Sequence, residues 1–116
     1  MNIFRKIKAA LCLREAIRQA DEAHSKNGHR YYVMPTSGET GQLVIMDRDN
    51  FRKLKQKGYI GIRTFVSDLE RECFYCTPYS NGSGELPADI IKQKRASYYS
   101  WLEVIRKIKK AKKEAK

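Results

Sequence analysis

The sequence lacks any long apolar run and is poor in acidic residues. None of its 116 residues belongs to a stretch approaching the ~20 consecutive apolar residues that a membrane-spanning helix needs. The basic start of the chain interrupts each apolar run with charge, so it does not have the pattern of a secretory signal. Only 13 acidic residues stand against 24 basic ones, for a net charge of +11. We therefore expect a cytoplasmic protein with no membrane partner.

Only three cysteines are present, an odd number that does not suit a secreted disulfide framework. Cys73 and Cys76 have the C-x-x-C spacing found in half of a zinc site or in a redox pair. His24 and His29 precede them, the reverse of the usual zinc-finger order. Glu70 and a position near a helix end disfavour a reactive thiolate. The favoured interpretation is that both cysteines pack in the core as small apolar side chains, with no metal and no cofactor.

Motifs for catalysis are missing as well. The segment SGETGQ lacks the Gly-Lys-Ser/Thr of a phosphate-binding loop, and KGYIGIRTF matches only part of an RNA-recognition signature. Asp47, Asp49 and Asp68 fit helix caps better than paired catalytic carboxylates. A basic ribonuclease built from Arg, Lys, Tyr and His remains an alternative, since such sites have no fixed spacing. We therefore predict a binding protein, and we predict no catalytic residues.

The positive charge is confined to three segments. Residues 1–18 and 48–57 each carry five basic and one acidic residue, and residues 103–116 carry seven basic and two acidic ones. The remainder of the chain has a net charge of −2. Clusters of this kind raise the local positive potential and attract polyanions, whereas an even distribution would mainly aid solubility.

Apolar periodicity predicts a long helix at each end of the chain. The first covers residues 2–26 and ends at Asn27-Gly28. Its predicted apolar stripe is Ile3, Ile7, Ala10, Leu13, Ile17 and Ala20. The second begins at Pro87, which suits the first turn of a helix. From Arg106 onward the apolar pattern is replaced by lysines, and we expect this part to fray.

Shorter elements fill the middle of the chain. β-branched and aromatic runs predict strands at 30–35 and 42–47, joined by a hairpin loop. A helix capped by Asp47 is predicted at 48–57, with Phe51 and Leu54 anchoring it to the sheet. The remaining predicted elements are a third strand at 59–65 and a short helix starting at Ser67.

These elements predict the α+β class: a small antiparallel sheet of two or three strands, packed with long N- and C-terminal helices. Residues 1–109 are expected to form a single α+β domain, and residues 110–116 a lysine-rich C-terminal tail.

Three stretches resemble a family of small proteins of gut anaerobic bacteria with no assigned chemistry. They are RYYVMPTSG, LVIMDRDNFRKLKQKGYI and DLERECFYCTP. The resemblance implies a bacterial, intracellular accessory role with a link to mobile elements. It supplies no site residues.

The predicted function is a basic module that binds nucleic acid without sequence specificity, mainly through phosphate contacts. The alternative is a non-enzymatic adaptor whose basic face meets an acidic protein. The predicted contacts combine basic side chains with one tyrosine for base stacking. They are Arg30, Tyr32, Arg52, Lys53, Lys55, Lys57, Arg106, Lys107, Lys110 and Lys113. We expect the binding surface to centre on residues 48–57.

Overall fold

The computed structural model describes residues 2–36, 40–58 and 66–115. It confirms the α+β class, with a long helix at each end and a small antiparallel sheet between them. The elements are α1 (Ile3–Asn27), β1 (Tyr31–Pro35), β2 (Leu43–Asp47), α2 (Arg48–Gln56), α3 (Val66–Glu72), β3 (Tyr75–Cys76) and α4 (Ala88–Glu114). None of the described helices combines the length and the apolar character needed to cross a membrane.

The sheet has the strand order β2-β1-β3, and both pairings are antiparallel. Tyr32 in the central strand pairs with Met46 on one side and with Cys76 on the other. The third strand is therefore the two-residue β3, which sequence patterning did not reveal. The strand predicted at 59–65 lies outside the described residues.

Side chains of β1 alternate between the two faces of the sheet, as the pleat requires. Val33 faces α1 and α4 and packs with Ala9, Leu13, Ala16, Ala20, Phe74 and Tyr98. Tyr32 faces α2 and α3 and packs with Met46, Phe51, Leu69, Cys73 and Cys76. The sheet thus separates two helical layers, here called the α1–α4 layer and the α2–α3 layer.

The buried side of α1 differs from the predicted stripe. Leu13 and Ala20 are buried as predicted and Ile17 is half-buried, but Ile3 and Ile7 are 68% and 53% exposed. Ala10 is exposed too. The buried positions are Ala9, Leu13, Ala16 and Ala20. At 3.6 residues per turn, Ile7 lies almost opposite Ala9 on the helix, so the two cannot share a face.

Both ends of α1 are capped, and the stop at Gly28 is the one that the sequence predicts. The side chain of Asn2 accepts a hydrogen bond from the backbone N–H of Arg5 at 2.9 Å. Gly28 ends the helix with φ of 75°, and its N–H donates to the His24 carbonyl at 2.7 Å. A residue with a Cβ would be strained in this left-handed conformation, so glycine suits the position.

An aromatic cluster fixes α4 against the sheet. The rings of Phe74 and Tyr98 meet edge to face with centroids 5.3 Å apart, and Trp101 lies 5.5 Å from Phe74. Beyond Ile105 the described side chains are exposed, but the helix continues to Glu114. The expected fraying from Arg106 is therefore not seen. Lysine, alanine and glutamate all favour helix, which explains why the segment stays helical without burial.

The helices of the second layer begin close to the predicted positions. Asp47 caps α2 by accepting a hydrogen bond from the N–H of Asn50 at 2.8 Å, as predicted. Phe51 is buried and Leu54 half-buried, so these two residues anchor α2. α3 begins at Val66, one residue before its predicted start.

Two leucines in α1 test the assignment of its buried side. Leu13 is 4% exposed and Leu11 is 57% exposed. We expect Leu13→Ala to lower the free energy of unfolding by about 2–5 kcal/mol, because it leaves a cavity beside β1. Leu11→Ala is the matched control and should change it by less than about 0.5 kcal/mol. Urea denaturation measures both values, and equal losses would contradict the assigned orientation of α1.

Candidate functional site

Two of the three basic segments meet in the α1–α4 layer. The helices run in opposite directions, so α1 residues 5–12 and α4 residues 98–109 line the same cleft of about 310 Å³. Its basic side chains are Arg5, Lys8, Arg106 and Lys109. Segments almost a hundred residues apart in the chain thus form one positive surface, here called the α1–α4 basic surface.

The predicted contact residues of α4 belong to this side of the molecule. Arg106, Lys107, Lys110 and Lys113 are all exposed on the last turns of the helix. Arg106 lines the cleft shared with α1, while Lys107 lines a neighbouring depression that also contains Lys6 of α1. The basic residues of the two helices therefore flank each other at two places.

Large apolar side chains are exposed on the same helices. In α1 they are Ile3, Phe4, Ile7 and Leu11, with exposed fractions between 53% and 80%. Their spacing places them on the side of α1 that faces away from the sheet. In α4, Val104 and Ile108 are 53% and 40% exposed. Exposed apolar groups in such number are typical of a surface that contacts a partner.

The third basic segment, α2, lies on the other side of the sheet. Arg52, Lys53 and Lys57 are exposed, and Lys55 is half-buried. The helix packs through Phe51 against the face of the sheet that carries Tyr32. The sheet and the core side chains packed on it therefore lie between these cations and the α1–α4 basic surface. The three basic segments do not form one continuous patch.

Two predicted contact residues are turned inward, Tyr32 fully buried and Arg30 half-buried, which corrects their assignment. Tyr32 is 2% exposed, and burial raises the pKa of its hydroxyl to about 12. Its ring packs in the core because even-numbered positions of β1 face α2 and α3. A base cannot stack on it. The side chain of Arg30 is only 9% exposed and its guanidinium contacts Cys76 and Glu70, so it does not lie on the surface where a nucleic-acid backbone would contact it.

Arg30 is instead the centre of a buried polar cluster. Its guanidinium lies 4.1 Å from the centroid of the Tyr79 ring, and its Nη2 donates to Cys76 Sγ at 3.0 Å. The carboxylate of Glu70 is 3.6 Å from the same Nη2. Burial opposes the charge, but Cys76 and Glu70 outweigh it, so the pKa of Arg30 is raised.

Lys94 brings a second cation to the same cluster. From α4 its Nζ donates to the carbonyl oxygens of Glu70 at 2.8 Å and Cys73 at 2.9 Å. These carbonyls lie at the C-terminal end of α3, where a cation is favoured. The same Nζ is 3.4 Å from Cys73 Sγ. Cys73 and Cys76 are buried as predicted, but a cationic side chain lies next to each sulfur.

The sequence did not predict that Arg30 and Lys94 lie beside the two thiols. The sequence-based prediction used only residues close to the cysteines in the chain, such as Glu70, and therefore placed negative charge beside the thiols. Arg30 carried a usable signal, since it precedes Tyr32 by two positions and therefore faces the same side of the sheet. Lys94 carried none, because nothing in the sequence aligns α4 with the end of α3.

The cysteines are poorly placed for zinc. A zinc ion at the two sulfurs would lie beside Arg30 and Lys94, and two neighbouring positive charges oppose a divalent cation. In the described parts of the chain, the group of potential ligands that could hold a metal is His29, Asp47 and Asp49. Asp47 already caps α2 and accepts from His29 Nδ1 at 3.2 Å, which accounts for its burial without an ion.

Metal removal should leave the protein unchanged. We expect the thermal midpoint to be the same with EDTA and with added zinc, because the cations beside the thiols keep a divalent ion away. Calorimetry of the purified protein measures it, with elemental analysis as the second readout. Stoichiometric zinc, or a midpoint that falls on adding EDTA, would contradict this expectation.

Comparisons with protein families, with curated proteins and with solved structures each find no match. The resemblance to proteins of gut anaerobic bacteria therefore stays a prediction. Function has to be inferred from the surfaces and contacts of this chain.

Proposed function

We propose that this protein is a nucleic-acid-binding module that holds the phosphate backbone on the α1–α4 basic surface. The observation that carries the proposal is the shared cleft, in which Arg5 and Lys8 of α1 lie opposite Arg106 and Lys109 of α4. An isolated basic helix is usually just a solvated face. Two basic helix ends brought together from opposite ends of the chain supply cations on both walls of one groove.

The chemistry of the groove suits phosphate better than bases. Guanidinium and ammonium groups neutralise phosphates and release condensed counterions, which gives affinity without sequence readout. The aromatic residue predicted for base stacking is buried, which removes one route to base contacts. Binding through these residues should therefore be similar for different sequences and should weaken steeply with salt.

Two triple variants with the same change of charge test where nucleic acid binds. The first replaces Lys8, Arg106 and Lys109 with glutamine in the α1–α4 basic surface. The second replaces Arg52, Lys53 and Lys57 with glutamine in α2, on the other side of the sheet. Each removes one arginine and two lysines, and all six are exposed.

We expect the first variant to bind single-stranded DNA more weakly at low salt. The slope of log affinity against log salt should also fall by roughly two units, at about 0.7 per lost phosphate contact. The second variant should keep the wild-type slope to within about 0.7. Fluorescence anisotropy over a range of salt concentrations measures both. A larger effect of the α2 variant would move the site to residues 48–57, as the sequence predicts.

An acidic protein segment is the second candidate partner, favoured by the exposed apolar side chains of α1. Ile7 and Leu11 are exposed on the same helix as Arg5 and Lys8, and contacts to phosphate would not involve these apolar side chains. An amphipathic acidic segment would use both the charge and the apolar stripe. In the same assay, Ile7→Ser with Leu11→Ser should leave DNA binding unchanged. If the wild type binds no nucleic acid at low salt, the first proposal fails and this one replaces it.

A further inference from the structure

Two reduced thiols share a buried site with two cations. Cys73 and Cys76 are free, and each is 2% exposed. Arg30 Nη2 donates to Cys76 Sγ at 3.0 Å, and Lys94 Nζ lies 3.4 Å from Cys73 Sγ. The α1–α4 basic surface and the cations of α2 make no use of this site, and a purely apolar role for the cysteines does not explain why charged groups contact them.

Arg30 needs a negative charge close to it. An arginine stays protonated in proteins, and a buried charge is costly unless it is paired. Its side chain is 9% exposed, whereas the carboxylate of Glu70, at 3.6 Å, is 42% exposed. Within the described parts of the chain, Nε and Nη1 of Arg30 have no hydrogen-bond acceptor. The sulfur of Cys76 is thus the closest atom that can carry the balancing charge.

The two thiols differ in their surroundings. The neighbouring sulfur of Cys73 and the charge of Arg30 outweigh burial and lower the pKa of Cys76. The neighbouring sulfur of Cys76, together with burial, raises the pKa of Cys73. The contacts agree with this difference, because Arg30 donates to Cys76 Sγ at 3.0 Å, whereas Cys73 Sγ donates its own hydrogen to the Glu70 carbonyl at 3.4 Å. Cys76 is therefore the sulfur prepared to act as a nucleophile, and Cys73 keeps its proton.

We propose that Cys76 is a thiolate oxidised by a small hydroperoxide, and that Cys73 then closes a disulfide with it. The thiolate of Cys76 attacks the terminal oxygen of the hydroperoxide. The S–O bond forms, the O–O bond breaks, and the departing oxyanion, which is hydroxide when the oxidant is hydrogen peroxide, is protonated by the solvent, leaving Cys76 as sulfenic acid. The sulfur of Cys73 next attacks Cys76. The S–S bond forms, the S–O bond breaks, and hydroxide leaves as water with the proton of Cys73.

The surroundings restrict which oxidant can reach the site. Arg30, Tyr32 and Tyr79 line a polar cavity of about 360 Å³. Arg30 contacts Cys76 from this side, so the thiol lies one side chain beyond the cavity wall. An exposure of 2% excludes exchange with another protein's disulfide, which needs direct contact between sulfurs. A hydroperoxide close to water in size fits the restriction.

The charge of Cys76 depends on groups from every element packed around it. These are Arg30 and Tyr32 at β1, Glu70 at the end of α3, Cys73, Tyr75 in β3 and Lys94 in α4. Only Arg30 and Lys94 among them are cations. Loss of Arg30 should consequently slow the reaction of Cys76 more than loss of any other group.

Peptide mass spectrometry tests the proposal in a Cys12→Ser protein, which removes the exposed thiol and leaves the pair intact. The folded protein is treated with hydrogen peroxide, unfolded, and exposed to a maleimide. We expect the tryptic peptide that holds both cysteines to lose two hydrogens and to take up no maleimide. Dithiothreitol should restore both thiols. Two thiols that remain free under conditions that oxidise free cysteine would overturn the proposal.

The order of events is tested by trapping sulfenic acid with dimedone. Adduct on Cys76 supports the proposal, and adduct on Cys73 instead would overturn it. In Arg30→Gln, we expect oxidation to slow by about tenfold or more, since the thiolate loses its main cation. Arg52→Gln removes an equal charge from the exposed face of α2 and should leave the rate unchanged. Equal rates for wild type and Arg30→Gln would show that Arg30 does not activate Cys76.

Discussion

The central position of β1 is the constraint on which the rest of this structure depends. Because β1 pairs with β2 on one side and β3 on the other, its side chains can point only to one of two helical layers. Val33 packs against the α1–α4 layer, and Tyr32 packs against the α2–α3 layer. Arg30 follows the same alternation as Tyr32, which brings a cation from one end of the strand to Cys76.

This division gives the two layers different chemistry. The α1–α4 layer turns exposed cations and apolar side chains outward, where a large partner can reach them. The α2–α3 layer keeps a guanidinium and two thiols inside, and the ammonium of Lys94 reaches them from α4. The proposed polyanion surface and the proposed thiol site therefore lie on opposite faces of the sheet, and Lys94 of α4 reaches from one layer to the other.

Local sequence patterns predicted most helices and strands correctly. They could not predict features that depend on contacts between distant parts of the chain. The Gly28 stop of α1, the Asp47 cap of α2 and the first two strands depend on a few neighbouring residues, so they could be read from the sequence. β3 could not, since its two residues are a strand only because β1 lies beside them. The exposed Ile3 and Ile7 were misplaced because periodicity does not say which of two apolar stripes meets the sheet.

The same distinction explains the candidate site. Charge clustering identified the basic segments, but only the packing of α1 against α4 shows that two of them share a groove while the third is separate. The most direct test is an amide chemical-shift titration of the protein with single-stranded DNA. Binding on the α1–α4 basic surface predicts shifts in the first half of α1 and the second half of α4, with α2 unchanged. Shifts centred on α2, with none in α1 or α4, would contradict it.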